Sequence, residues 1–279
     1  MIVDFHTHIF SRQMRDHRDE HVRLDPTFGE LFSDPKAKMA TAEELLQAMD
    51  EDEVDRAVIM SIGWTDQGLA RQANDYIIES VIRYPDRLIG FASVNPVWGE
   101  VVAKEADRCA RAGLRGVGEL HPDTQGFSIA DRDILESLMM VVQEHKLLVS
   151  THSSEPVGHL YPGKGRTRPQ ELWQFICNFP NVTVICSHWG GGLPFYSLMP
   201  EVRSGMDNVY FDTAASPFLY DARVFEVAVS LVGADRILLA SDYPLLRTNR
   251  LISQLQSVSL SESAKESIVG GNAAKIFGL

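Results

Sequence analysis

The chain opens with Met1-Ile-Val-Asp-Phe-His-Thr-His8, in which a short run rich in apolar and β-branched residues ends at two histidines. Such a run is typical of a buried strand. Residues two apart in a strand point to the same face, so His6 and His8 can present two imidazoles to one metal ion. The opening of the chain therefore predicts a buried strand with a metal-binding histidine pair at its carboxyl end.

Seven further segments share the apolar, strand-like character of the first. They are residues 56–61, 88–93, 114–119, 147–151, 182–186, 209–211 and 237–240. Apolar residues spaced three and four apart predict amphipathic helices between them, at residues 41–51, 69–83, 100–112, 131–145 and 169–178. Buried strands that alternate with amphipathic helices predict a parallel sheet covered by helices.

The number of strands decides between two parallel-sheet architectures. Eight strand–helix units in 279 residues fit one (β/α)8 TIM barrel. An open doubly wound sheet of this length would more often use fewer strands, and no GxGxxG motif follows the first strand. We therefore predict an α/β fold in which residues 1–279 form a single barrel domain.

The composition limits the kinds of partner. Of the residues, 44% are hydrophobic and 23% are charged, as in an ordinary globular protein. The formal net charge of -12 and the lack of a dense Lys/Arg run argue against nucleic acid. No apolar stretch approaches the length of a membrane span, and the N-terminus lacks the features of a signal peptide. The sequence therefore predicts a cytoplasmic protein with a small-molecule substrate and no membrane partner.

Residues able to bind a metal also stand at the ends of four later predicted strands. They are Glu119 at the fourth strand, His152 at the fifth, His188 at the sixth and Asp242 at the eighth. The carboxyl ends of all strands meet on one face of a barrel, so side chains far apart in sequence come together there. We therefore predict that these four residues join His6 and His8 in a metal centre.

This arrangement of histidines and aspartate resembles that of the amidohydrolase superfamily, which has HxH on strand one, His on strands five and six, and Asp on strand eight. The chain looks most like the branch called amidohydrolase 2, which includes enzymes similar to aminocarboxymuconate-semialdehyde decarboxylase. Supporting motifs are Ile2-Val-Asp-Phe-His-Thr-His8, Ser187-His-Trp-Gly-Gly191, Ala240-Ser-Asp-Tyr-Pro244 and Gly271-Asn-Ala-Ala-Lys-Ile-Phe277. The resemblance spans nearly the whole chain, but it does not fix the substrate.

The resemblance implies one divalent ion, usually zinc, that is held by four residues of the predicted centre. These are His6, His8, His152 and Asp242. His188 is then either a ligand of a second ion or an acid–base residue, so one or two ions are expected. Neutral imidazoles and a carboxylate suit Zn²⁺, which can lower the pKa of a bound water to about 7.

Glu119 bears on the choice of reaction. The decarboxylase-like members are not expected to have a glutamate at this position, whereas TatD-type hydrolases carry one that binds or bridges metal. We therefore favour a metal-dependent hydrolase of a small, anionic amide, ester or lactone, with Asp242 as the base and His188 stabilising the oxyanion. Glu119 could instead pair with Arg115, and the alternatives are a nonoxidative decarboxylase of an unsaturated or aromatic acid and a noncatalytic metal-binding barrel.

Further residues are candidates for binding the substrate. Basic side chains near strand ends suit an anionic group, and so do the free backbone N–H groups at the start of a helix, predicted at the glycines after Trp189. The candidates are His121, His159, Arg166, Arg168, Trp189 and Arg247. Irregular stretches at 9–40, 120–130 and 153–168 are predicted to form loops over the site, with 12–23 as a solvated lid. A homodimer is left open.

Overall fold

The computed structural model describes residues 1–279 and has eight parallel strands in sequence order. The strands are β1 (Val3–His8), β2 (Arg56–Met60), β3 (Leu88–Ala92), β4 (Gly116–Leu120), β5 (Leu148–Thr151), β6 (Val184–Cys186), β7 (Val209–Asp212) and β8 (Ile237–Leu238). Backbone N–H groups of Phe5 and His8 donate to the carbonyls of Leu239, at 2.8 Å, and Tyr243, at 2.7 Å, which closes the sheet. The predicted (β/α)8 barrel is confirmed.

Helices follow the strands, and the longer ones cover the outside of the barrel. The α-helices are Arg12–Asp16, Arg18–Leu24, Pro26–Phe32, Ala42–Glu51, Gln67–Arg83, Glu100–Arg111, Pro122–Gln125, Arg132–His145, Pro169–Asn178, Pro200–Ser204, Ser216–Leu219, Val224–Val232, Thr248–Gln256, Glu262–Glu266 and Asn272–Phe277. Short 3-10 helices lie at Pro96–Trp98, Leu193–Leu198 and Ala234–Arg236, and a π-helix lies at Ser267–Gly271. The five predicted helices are all present, and none of the helices has the length and apolar character that a membrane span requires.

The helix Ala42–Glu51 shows why the sequence forms a helix at this point. The Thr41 hydroxyl accepts the backbone N–H of Glu44 at 3.3 Å, while the Glu44 carboxylate accepts the backbone N–H of Thr41 at 2.7 Å. This reciprocal capping box satisfies two N–H groups that a helix start leaves without partners. Leu45 and Met49, four residues apart, are buried against the barrel.

A β-bulge in β1 turns the histidine pair toward the barrel axis. The register between β1 and β2 shifts between Asp4 and Thr7. Without a bulge, neighbouring strand residues point to opposite faces, and an extra residue reverses that alternation. Phe5 stacks on Phe277 inside the barrel, with ring centroids 5.5 Å apart, and the next residue, His6, faces the same interior beyond the bulge.

A second bulge, in β4, does the same for Glu119. The register between β4 and β5 shifts between Val117 and Leu120. Gly118, within this shift, has a φ of 130°, and a Cβ there would lie 2.3 Å from the carbonyl oxygen of Ser150. Only glycine fits so close to a neighbouring strand in this conformation.

Residues 9–40, called the cap below, form three short helices, whereas the sequence predicted an irregular loop. Phe28 stacks on Trp64 of the barrel, with ring centroids 5.2 Å apart and planes 14° apart. His21 and Met14 are also buried. Residues 12–23, predicted as a solvated lid, therefore bury one side against the rest of the protein. The helices are five to seven residues long, too short to show a clear apolar repeat in the sequence.

Candidate metal centre

Six titratable side chains meet at the carboxyl end of the barrel. They are His6 and His8 of β1, Glu119 of β4, His152 after β5, His188 after β6 and Asp242 after β8. Their side-chain exposures range from 0% for His6 to 16% for Asp242. The structure thus brings together all six residues predicted to bind metal, and their role as ligands stays a prediction.

Glu119 lies at the centre of this cluster. Its Oε1 lies 3.2 Å from Nδ1 of His152 and 3.3 Å from Nε2 of His188. Its Oε2 lies 3.6 Å from Nε2 of His6 and 4.0 Å from Nε2 of His8. Each carboxylate oxygen therefore faces a different pair of imidazoles, and Glu119 forms a group of three possible metal ligands with each pair.

Backbone carbonyls outside the cluster orient two of the imidazoles. Nδ1 of His8 lies 3.0 Å from the carbonyl oxygen of Ser61. Nδ1 of His188 lies 3.1 Å from the carbonyl oxygen of Ala214. A carbonyl oxygen only accepts hydrogen bonds, so Nδ1 carries the proton in both rings. In the neutral ring, Nε2 then presents a lone pair to the cluster.

The residues present fit a divalent metal ion. Nε2 of His6 and Nε2 of His8 lie only 3.0 Å apart. Nδ1 of each ring is occupied by a hydrogen-bond acceptor outside the cluster, so the two facing atoms both carry lone pairs when the rings are neutral. Lone pairs at this distance repel unless a proton or a metal ion is shared between them. Imidazole nitrogens and carboxylate oxygens together form a donor set that suits zinc or manganese.

Asp212, at the end of β7, is a site residue that the sequence patterns did not single out. Its Oδ2 accepts a hydrogen bond from Nδ1 of His6 at 2.9 Å, and its Oδ1 accepts the backbone N–H of His188 at 2.9 Å. Asp212 thereby fixes one imidazole and the backbone of another. A signal was present, because the residue directly follows the predicted strand 209–211, as the other site residues follow theirs.

The charged groups in the cluster change one another's pKa. Burial alone would raise the pKa of Glu119, but the histidines around it, His121 first, hold that pKa well below its ordinary value. Burial would lower the pKa of His6, but Glu119 raises it well above the ordinary value. The pKa of Asp242 is about 2, because a hydrogen bond with His8 and nearby histidines outweigh burial. The carboxylates stay ionised and attract positive charge.

A cavity of about 530 Å³ opens onto the cluster. At the cluster, its polar lining comprises His8, Glu119, His121, His152, His188 and Asp242. Apolar walls come from the cap, which contributes Phe32, and from the helix Ser216–Leu219, which contributes Phe218. Lys36 and Lys38 are exposed and add two positive charges to the lining, and the exposed Asp34 beside them adds one negative charge. The cluster is therefore reachable by a small molecule through a largely apolar space.

Two of the predicted substrate-binding residues line this cavity. His121 contacts the cluster directly, since its Nε2 lies 2.9 Å from Oε2 of Glu119. Its ring stacks on His152, with centroids 4.7 Å apart and planes 15° apart. His159 lies in the exposed loop after β5. A role in binding substrate stays a prediction for both.

Three arginines predicted to bind substrate lie outside the cavity lining. Arg247 forms an ion pair with Asp52 at 2.9 Å, across 195 residues of sequence. Arg168 is exposed and immediately precedes the helix Pro169–Asn178, and Arg166 is also exposed. The prediction is corrected for Arg247, because its side chain is held by a carboxylate that the fold brings near and that the sequence does not reveal. For Arg166 and Arg168 a role in binding substrate stays a prediction.

Trp189 and the glycines after it do not open a regular helix, as the sequence predicted. The backbone has positive φ at every residue from His188 to Gly192, between 56° and 95°. Trp189 is fully buried, its Nε1 donates to the Ser216 hydroxyl at 2.9 Å, and its ring packs edge-on against Phe225. This places Trp189 in the core rather than on the cavity wall, which corrects its predicted contact with substrate.

A parallel barrel with a buried cluster of histidines and carboxylates at its carboxyl end defines the class of (β/α)8 barrel enzymes. The family model described as Amidohydrolase matches residues 3–279, and the chain belongs to that family. The resemblance predicted from the sequence is thus confirmed, and the protein is an enzyme of the amidohydrolase superfamily. A noncatalytic barrel finds no support.

Two curated relatives and a solved structure are similar to the chain. Gamma-resorcylate decarboxylase from a Polaromonas species is 25% identical over 256 residues, which cover 75% of this chain and 76% of that protein. The 2-amino-3-carboxymuconate-6-semialdehyde decarboxylase of Dictyostelium discoideum is 24% identical, over 99% of this chain and 91% of that protein. The crystal structure of 5-carboxyvanillate decarboxylase from Novosphingobium aromaticivorans, complexed with manganese and 4-hydroxy-3-methoxy-5-nitrobenzoic acid, matches with a TM-score of 0.77 and 19% identity, covering 100% of this chain and 96% of that chain. The last of these shows a likeness of fold.

Proposed function

We propose that this protein is a metal-dependent, nonoxidative decarboxylase of a small unsaturated or aromatic carboxylic acid. The observation that carries the proposal is the cavity of about 530 Å³, which joins the buried histidine–carboxylate cluster to apolar and aromatic walls. The two curated decarboxylases support the same reaction. They favour it over hydrolysis, which was the leading expectation from the sequence.

A divalent metal ion belongs to this proposal. His6, His8, His152 and Asp242 would hold it, with Glu119 beside them, and the two facing Nε2 atoms of the histidine pair support its presence. When bound, the ion supplies a fixed positive charge that polarises an oxygen of the substrate. The related 5-carboxyvanillate decarboxylase was crystallised with manganese, so we propose manganese or zinc in place of zinc alone.

The cavity walls would orient the substrate and exclude water. Phe32 of the cap and Phe218 offer aromatic surfaces that can pack against a planar ring. Lys36 and Lys38 attract an acid toward the cavity. Water solvates a carboxylate much better than it solvates neutral carbon dioxide, so an apolar cavity destabilises the carboxylate relative to carbon dioxide.

The reaction exchanges a carboxylate for a proton on one carbon atom. The bond between that carbon and the carboxylate carbon breaks, its electron pair stays on the ring or vinyl carbon, and carbon dioxide leaves. A proton then forms the new C–H bond. We assign this proton to Nε2 of His188, because Glu119 outweighs burial and raises the pKa of His188 to about 9, which leaves the ring protonated at neutral pH. Asp242, which is ionised at rest, would donate only after it has taken up a proton itself.

The test is the release of carbon dioxide from a panel of hydroxybenzoic and unsaturated acids by the protein loaded with Mn²⁺ or Zn²⁺. We expect carbon dioxide and the decarboxylated product in equal amounts. Asp242→Asn is expected to lower the rate by about two to four orders of magnitude. Asp86→Asn, whose side chain is 95% exposed, is the control and keeps the rate. Hydrolysis of esters or lactones without carbon dioxide release would overturn the proposal.

Hydrolysis is a second candidate because of one observation, the central position of Glu119. A carboxylate whose oxygens face two pairs of imidazoles can bridge two metal ions, as many two-metal hydrolases require. Metal content per chain, measured by plasma mass spectrometry in the wild type and in Glu119→Ala, separates the candidates. Two ions that fall toward one in the variant favour hydrolysis. One ion in both proteins favours decarboxylation.

A further inference from the structure

A second cavity, of about 390 Å³, lies beside the first. The two cavities share the side chains of His159, Tyr161 and Leu219. The wall that belongs to the second cavity alone includes Glu155, Phe195, Tyr196 and Tyr220. Nothing in the proposed decarboxylation uses this space, which combines one carboxylate with several aromatic rings.

Glu155 is incompletely satisfied in this cavity. Its Oε2 accepts a hydrogen bond of 3.3 Å from the Tyr161 hydroxyl. Its Oε1 is buried and has no hydrogen-bond partner, and the side chain forms no ion pair. A buried carboxylate oxygen without a donor is costly, because it has lost water and gained nothing in return. The site therefore favours a ligand that brings a positive charge close to this oxygen.

Aromatic rings surround the same space. The ring centroids of Phe195 and Tyr220 lie 6.0 Å apart with their planes at 59°, and Tyr161 and Tyr196 complete the lining. The faces of such rings attract ammonium groups. The pKa of the Tyr161 and Tyr220 hydroxyls is raised, by burial first and then by the negative charge of Glu155. Both hydroxyls therefore lie close to the charge of this carboxylate.

The chain brings one cation to the cavity but does not pair it with Glu155. Nζ of Lys164 donates to the carbonyl oxygens of Val157 and His159, both at 2.8 Å. It lies 5.5 Å from the ring centroid of Tyr161. One ring of the wall thus already contacts an ammonium group, while the carboxylate stays free for another.

We propose that the second cavity binds an organic ammonium group, with Glu155 as its counter-ion and the surrounding rings as its cage. A hard metal ion fits poorly, because Mg²⁺ and Ca²⁺ require about six or more oxygen ligands and this wall offers one carboxylate among aromatic faces. The ammonium group belongs either to a free amine or to a substituent of the substrate, since the two cavities share a wall. Only the second source rests on the proposed decarboxylase function.

The first experiment measures the binding of choline and of its uncharged tert-butyl analogue to the metal-loaded protein by isothermal titration calorimetry. We expect choline to bind at least about tenfold more tightly than the analogue, and Glu155→Gln to remove that difference. Glu201→Gln changes an exposed acid outside the cavity and is expected to bind choline as the wild type does. Equal binding of the two compounds, or an unchanged preference in Glu155→Gln, would overturn the proposal.

Tyr196 allows a second test that does not alter Glu155. Its side chain is 48% exposed, so its replacement leaves the core intact. Tyr196→Leu removes a ring of the cage and is expected to weaken choline binding several-fold, whereas Tyr196→Phe keeps the ring and the affinity. An affinity that is the same in the leucine and phenylalanine variants would count against an aromatic cage.

A kinetic experiment separates the two sources of the ammonium group. Aromatic acids with and without a trimethylammonium substituent are compared as substrates of the wild type and of Glu155→Gln. A substituent that lowers KM in the wild type alone, with choline as a competitive inhibitor, identifies the substrate as the source. Choline binding without competition identifies a free amine. If no acid is decarboxylated, the proposed function fails, and calorimetry still decides this inference.

Discussion

Asp212 contacts the cluster from outside and holds both the ring of His6 and the backbone of His188. Asp212→Asn keeps most of the shape of the side chain but removes its charge. Partners that orient metal-binding histidines alter metal affinity by about 10- to 100-fold. We expect a loss of this size for Asp212→Asn, measured by competition with a coloured chelator.

The matched control for this measurement is Asp86→Asn, at a surface carboxylate that is 95% exposed and touches no cluster residue. Its metal affinity should equal that of the wild type. If the two variants have the same affinity, Asp212 does not orient the histidines through its charge.

The cluster residues could be predicted from the sequence because each stands at a strand end, where the barrel gathers side chains. Arg247 shows what the sequence could not supply. Its partner Asp52 lies 195 residues away in the sequence. The two residues meet because the end of the helix Ala42–Glu51 packs beside the start of the helix Thr248–Gln256, and no local sequence pattern indicates this contact. Trp189 is a similar case. It is adjacent to His188, and the conformation of the backbone decides whether its ring packs in the core or contacts the substrate.

At the scale of single elements, the helix Ala42–Glu51 depends on its capping box. Thr41→Ala removes the hydroxyl that accepts the N–H of Glu44. Loss of such a cap costs about 1 kcal/mol. We expect a fall in Tm of about 2–4 °C, measured by circular dichroism. Ser259→Ala, at an exposed serine that caps no helix, serves as the control. An equal fall in both variants would mean that capping is not the cause.

Glu105 connects neighbouring helices on the outside of the barrel. Its carboxylate accepts hydrogen bonds from Asn74 at 2.9 Å and from Arg108 at 2.6 and 2.8 Å. Burial alone would raise the pKa of Glu105, but these hydrogen bonds lower it overall. The folded state therefore favours the ionised form. The resulting stability is complete above the ordinary pKa of 4.5 and is lost as the pH falls through the lowered pKa.

Glu105→Gln should consequently be less stable than the wild type at about pH 7, and the difference should shrink toward about pH 3. Urea unfolding at the two pH values measures it. Glu262→Gln, at a carboxylate that is 81% exposed, should track the wild type at both values. A difference between Glu105→Gln and the wild type that stays constant with pH would show that ionisation of Glu105 is not what stabilises the fold.

Elements with long apolar repeats could be predicted from the sequence, and short ones could not. The five predicted helices each carry several turns with buried residues, and every strand lies within an apolar run of the sequence, even β8, which is only two residues long. The cap helices offer one or two turns, and what holds them is contact with the barrel, as in the stack of Phe28 on Trp64. The left-handed turn from His188 to Gly192 is likewise set by its surroundings, since His188 and Trp189 do not favour a positive φ on their own.

For the whole molecule, removal of metal is expected to lower stability as well as activity. An ion that binds only the folded chain stabilises it by mass action, by about 2.7 kcal/mol when the free ion is at about 100 times its Kd. Dialysis against dipicolinate should lower the Tm in scanning calorimetry, and added Mn²⁺ or Zn²⁺ should restore it. A Tm that is unchanged while mass spectrometry shows the metal gone would contradict metal binding by the folded cluster.

The contact between Phe28 and Trp64 has an optical consequence. Trp64 is fully buried beneath the cap, and His21 packs against its edge. An indole in such surroundings emits at short wavelength, and its emission moves to the red when water reaches it. Any movement of the cap away from Trp64 would thus change the intrinsic fluorescence of the protein, and no added label is needed to detect it. A substrate that lifts the cap on entry would then be followed in real time, from the change in the part of the emission that Trp64 contributes among the four tryptophans of the chain.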